Sequence, residues 1–309
     1  MRPVDPMRLI RLMSGATISS ELPIHDTEPD PGLMGPASMT WRLHNEQWLI
    51  LAGARSFLMQ AAHPVVAQGA LDHCRFAEDP FGRVFSTIQA MAVLLFGTTR
   101  EANEMAHHIN RLHHSVRGTL QASAGSHRAG SAYTAMDPSG LLWVHASFVD
   151  SILTAYRCFV GPLSAAECEA YWEESCRYAR RLGLAEDALP PTYEAMQASL
   201  REAQESGEVS VGAGARTIAR TILYPPLPWV RRPLWGLVRL VTVGQLPDTI
   251  RRGYGLRWST SQSTAFRMAC VCARLLRRVL PRVLGRSILV TYAMRRVRGE
   301  LAPGGRDAA

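Results

Sequence analysis

Apolar residues recur every three to four positions through most of the chain after residue 40, and helix-starting signals fall where those periodic runs begin. Asp79-Pro80 and Asp137-Pro138 each place a capping carboxylate ahead of a proline at the first helical position. Thr98-x-x-Glu101 and Ser164-x-x-Glu167 have the capping-box spacing, in which hydroxyl and carboxylate satisfy one another's backbone amides. The pattern predicts helices near 41–62, 64–73, 80–96, 99–117, 138–160, 165–182, 192–206, 215–223, 232–243 and 260–297, the last broken at Pro281. No Asn-Gly or Asp-Gly turn lies between alternating residues, so no major sheet is expected. The fold class is therefore all-α.

Residues 1–40 read as an irregular N-terminal arm, because 14–40 are rich in Pro, Gly, Asp and Ser without a periodic apolar pattern. Residues 41–206 form the expected helical core. The Gly, Ser and Val alternation of 205–214 is the best linker candidate, and 215–309 are expected to form a C-terminal helical layer packed on that core within a single large domain.

Composition narrows the chemistry. All 34 basic side chains are arginine, set against 26 acidic ones for a net charge of +8. Without lysine there is neither a phosphate-loop lysine nor a Schiff-base lysine. The arginine pairs 231–232, 251–252, 277–278 and 295–296 lack interleaved aromatic platforms, which argues against nucleic acid and leaves anionic membrane surfaces or acidic ligands open. Cysteines 74, 158, 168, 176, 270 and 272 show neither a CxxC pair nor the dense spacing of a disulfide scaffold, as expected for a reducing compartment. The longest uncharged stretches, near 56–71 and 84–99, fall short of the roughly 20 apolar residues of a spanning helix and read as core helices. With no apolar run after the first basic residues, a cytoplasmic location is expected, peripheral membrane attachment through the arginine-rich C-terminal third being the variant to test.

Residues 83–118 concentrate the polar groups that a plain helical core does not need. Four of the ten histidines, 107, 108, 113 and 114, lie there. In a helix over 99–117, His113 and Arg117 share a face with Asn110 and Ala106. An imidazole near a helix end beside an apolar cavity is suited to ligate a haem iron, and a guanidinium is suited to pair with a propionate. The plainer reading is a histidine bonded to a carbonyl and an arginine completing the helix C-terminus. The preceding helix shifts the balance: Arg83 and Thr87 are one turn apart, with Phe85, Ile88, Met91 and Leu95 as apolar surface. Glu104-x-x-His107 has the spacing used in di-iron bundles, but the second such motif that a di-iron site needs is absent.

The ordered set QAAHPVVAQGALDH, DPFGRVFST, FGT-x-x-EA, LHHSVRG and YTAMDPSGLLWVHASFVDSILTAY, continued by GPLSAAECEAYWEE, LPPTYEAM and LPDTIRRGYGLRWS, resembles the MpaB and rubber-oxygenase catalytic-domain family, which includes the latex clearing proteins. The resemblance covers roughly 41–260. It implies a globin-like helical core around haem b and dioxygen chemistry. Carried over, the proximal histidine and metal ligand falls on His113, its accompanying arginine on Arg117, and the distal arginine and threonine on Arg83 and Thr87. The lysine that precedes that threonine in latex clearing proteins is replaced by Ser86, so distal lysine ligation is ruled out and the rubber-cleaving reaction does not carry over. The expectation is a haem-dependent oxygenase-like protein acting with dioxygen on an apolar small molecule. The alternatives are a non-catalytic haem or apolar-ligand binder and a haem peroxidase or dehydratase. His63 and His145, also within family-like motifs, are expected to support the pocket at most; Asp137 reads as a cap, and Trp143 and Tyr133 as core residues.

Overall fold

The computed structural model describes residues 23–73, 80–279 and 287–301. These hold thirteen α-helices and one short two-stranded ribbon, so the all-α class is correct. Helix α1 (Met39–His44), a 3-10 turn (Gln47–Leu51), α2 (Ala52–Ala61) and α3 (Pro64–His73) lead to an antiparallel helical pair, α4 (Pro80–Phe96) and α5 (Thr99–Ser115). The ribbon, β1 (Arg117–Thr119) and β2 (Ala132–Thr134), precedes α6 (Pro138–Phe159), α7 (Ala165–Arg181), α8 (Tyr193–Glu205) and α9 (Ala213–Leu223). Helices α10 (Arg232–Gly244), α11 (Asp248–Gly253), α12 (Thr260–Val279) and α13 (Ile288–Val297) complete the order.

The caps work as their spacing predicts. Thr98 and Ser164 each form a reciprocal capping box with the glutamate three residues on, and Asp137 accepts the amide of Gly140 at 2.9 Å. Asp79 lies outside the described residues. Two expectations are corrected and one helix is added. The helix over 41–62 is divided, because Glu46 is extended and the chain re-enters helical geometry only through the 3-10 turn. Helix α5 stops at Ser115, where Val116 turns extended and hands the chain to the ribbon. Helix α11 escaped notice since six residues are too few for a periodic signal. The ribbon is closed by Tyr133 lying over Gly118, where a Cβ would approach its ring at 2.9 Å.

The part of the arm that is described is irregular yet anchored. Ile24 and Met34 are buried, Asp30 accepts the amide of Thr99, and Glu101 accepts the amides of His25 and Asp26. Carboxylates are thus gathered at the positive end of α5.

Helix α6 is the central rod of the main core, with Val149 and Leu153 fully buried and α2 packed along it. Arg55 of α2 is 2% exposed. Its guanidinium donates to Asp150 and Ser151 of α6, both at 2.6 Å, and to the backbone carbonyl of Gln245 after α10 at 2.9 Å. Gln197 of α8 donates to the other oxygen of Asp150 at 2.9 Å. Four segments meet at one ion pair. Arg55→Ala leaves Asp150 without its cation and should cost about 3–5 kcal/mol. Denaturant unfolding should show a lower midpoint at an unchanged slope; a midpoint equal to that of the parent chain would refute this role.

Candidate functional site

Helix α4, the segment from α1 to α2 and the start of α13, through Ser287 and Leu289, border a partly open apolar cavity of about 160 Å³. Thr87, Ile88, Met91 and Leu95 form one wall, with Gly53, Phe57 and Gln60 of α2 opposite and Phe148 and Ile152 of α6 behind. The α4 residues recur at the spacing of one helical face, so the stripe that packs the helix also lines the cavity. Thr87, expected on the distal side, is therefore placed at the wall. His113 and Arg117 are not among the lining residues. Arg83 lies on α4, and its side chain is outside the described residues.

His113 ends a stripe on α5 that begins with the buried Ala102 and Ala106 and continues through the half-buried Ile109. Its neighbours separate from it clearly. His107, His108 and His114 are exposed, and His114 Nδ1 lies 2.7 Å from the carbonyl of Asn110 in its own helix. Arg117 opens β1 rather than extending α5, so the one-turn relation to His113 expected from the sequence does not hold. It is exposed and donates to the carbonyl of His114 at 3.0 Å.

One cavity residue was missed by sequence reasoning. His44, the last residue of α1, lines the cavity, contacts Phe96 and Phe148, and lies 2.9 Å through Nε2 from the hydroxyl of Tyr171. Burial holds its pKa down at about 4, so it is a neutral imidazole at physiological pH. Beside it, Glu46 is tied by Arg277 of α12. No sequence signal marks His44, because its role depends on α4 and α7 closing around α1.

The remaining histidines of the family-like motifs behave as core groups. His145 meets Ser175 at 3.1 Å and packs on Trp172 and Tyr178; burial lowers its pKa to about 3. His63 is fully buried, 5.2 Å from the His127 ring, and both its nitrogens lack hydrogen-bond partners. Burial, then repulsion from His127, brings its pKa to about 4. Trp143 donates to the carbonyl of Met59 at 2.8 Å, and Tyr133 to Asp72 at 2.6 Å. Among the described residues no group of three or more His, Cys, Asp or Glu is gathered as a metal cluster would require.

The lowered histidine values set a pH dependence. Below pH 6.5 the unfolded chain takes up protons that these folded imidazoles refuse until about 4. Their contribution to stability is complete above 6.5 and declines as the pH falls through that window. His63→Leu should lose less stability than the parent chain between those limits in chemical denaturation. Identical slopes would mean that His63 is already protonated in the folded protein.

Residues 41–275 match the family described as ER-bound oxygenase mpaB/B'/Rubber oxygenase, catalytic domain. The uncharacterized proteins Rv2237 of Mycobacterium tuberculosis and Mb2261 of Mycobacterium bovis are each 26% identical over 239 residues, covering 75% of this chain and 90% of theirs. No solved structure gives a significant match. With about three quarters of its length matched, including α4, α5 and the ribbon, the chain belongs to the MpaB and rubber-oxygenase catalytic-domain family.

Proposed function

We propose that this protein is a haem b-dependent oxygenase that acts with dioxygen on an apolar small molecule. Family membership supports the oxygenase class. The observation that carries the haem reading is the sorting of the α5 histidines: His113 alone of the four ends the inward stripe, while His107, His108 and His114 face solvent.

The chemistry of the donor set supports this reading. The half-buried imidazole of His113 at a helix end would hold the iron, and the exposed guanidinium of Arg117 would supply a cation for a propionate. When bound, haem would supply the one-electron and dioxygen chemistry that side chains lack. The chain's own residues would then shape the reaction. Thr87 offers a hydroxyl at the wall of an apolar cavity, and Arg83 stands one turn earlier on the same helix. In an apolar surround a hydroxyl such as that of Thr87 would act more strongly on developing negative charge than it does in water. Neutral His44 adds a polar group without adding charge, so an uncharged, apolar substrate meets no desolvated ion from it. With Ser86 in place of a lysine, no side-chain amine would be available there as a second iron ligand.

His113→Ala should lose most of its haem, measured by pyridine haemochrome on purified protein, whereas His114→Ala should retain it. Equal haem in both would contradict the ligand assignment. Thr87→Val and Arg83→Ala should keep haem and lose about 10²-fold or more in turnover, read as dioxygen uptake with a panel of apolar substrates. Full haem without uptake in the parent chain would favour a binding protein over an enzyme.

A further inference from the structure

Helix α12 is apolar on two opposite sides. Phe266, Ala269, Cys270 and Ala273 face the core, where Phe266 packs against Gly244 of α10 and Cys270 and Ala273 are buried. Met268, Val271, Leu275 and Val279 also recur at helical spacing, but half a turn away, and they are exposed; Met268 is 62% and Val279 77% accessible. At 3.6 residues per turn these four fall on a single stripe facing away from the core. Arg267, Arg274 and Arg278 run along one flank of it and are likewise exposed. A helix packed on one face has no packing reason to carry a second apolar stripe.

The neighbouring element repeats the pattern. Just before and along α10, which packs on α12, Trp229 is 78% exposed, and Val230, Leu234 and Leu237 are exposed with it, beside Arg232. Of the eleven exposed large hydrophobic residues among those described, ten lie between Tyr224 and Val279. Charge is equally uneven. Between residues 209 and 299 the sequence has seventeen arginines and one acidic residue, Asp248, which is paired with Arg251.

We infer that the outward faces of α10 and α12 form a docking surface for an anionic lipid membrane. Exposed Trp, Leu, Met and Val can enter the headgroup boundary while the flanking arginines meet lipid phosphates, the arrangement of an interfacial amphipathic helix. The proposed contact is lateral, since the exposed stripes run along the outward faces of α10 and α12. An acidic protein groove would satisfy the arginines, but it gives no reason for an apolar surface spread over two elements and tipped by a tryptophan. On its opposite, core-facing side α12 carries Arg277, which ties Glu46 of the cavity wall.

The test is flotation of the full chain with phosphatidylcholine vesicles, with and without phosphatidylglycerol, at low and high salt. Binding is expected with the anionic vesicles, weakened by salt. Met268→Ser combined with Val271→Ser and Leu275→Ser should abolish it while leaving the circular dichroism spectrum and melting temperature unchanged, because the three side chains are exposed. Arg267→Gln with Arg278→Gln, which keeps the apolar stripe, should weaken binding by about tenfold or more. The inference is overturned if the parent chain stays unbound, if neutral vesicles bind it as well as anionic ones, or if the serine variant still floats. It is also overturned if sedimentation shows a self-associated species that the serine substitutions dissolve, which would make a second copy the occupant of this face.

Discussion

The ion pair between Arg55 and Asp150 is the constraint on which the rest of the fold depends. A guanidinium that is 2% exposed must have its donors satisfied, and its partners lie on α6 and after α10. That requirement sets the position of α2 against the central rod. The opposite side of α2, through Gly53, Phe57 and Gln60, then becomes a wall of the cavity. Desolvation of two charges is costly, and the geometry offsets it with four hydrogen bonds drawn from four segments.

The imidazoles differ by their surroundings rather than by their sequence motifs. His145 has a hydroxyl partner and aromatic walls, and His63 lies against a second imidazole; both are held neutral by burial. His114 is spent on a carbonyl in its own helix. His113 ends the stripe that begins with buried Ala102 and Ala106 and is itself half-buried. This division underlies the proposed haem assignment more directly than the density of histidines in the segment.

Local signals were legible where physics is local. The capping boxes at Thr98 and Ser164, the Asp137 cap and the run of α4 could be read from spacing alone, since each depends on residues three or four apart. The break after His44 could not, because the turn at Glu46 is stabilised by Arg277, more than two hundred positions away. Likewise Arg117 looked like the next turn after His113, but pairing of β1 with β2 outweighs helix propensity there. The cavity was invisible for the same reason: its walls come from α1, α2, α4 and α6, and only their packing makes a site of Thr87 and His44.

Most of the chemistry proposed for this protein passes through one bond, from an imidazole nitrogen of His113 to iron. The most direct measurement is the visible absorption spectrum of the full-length protein during titration with hemin. The account predicts a saturable Soret band at one equivalent, with a shift on reduction that reports a single imidazole ligand. A folded protein that leaves the hemin spectrum unchanged at every ratio would contradict it.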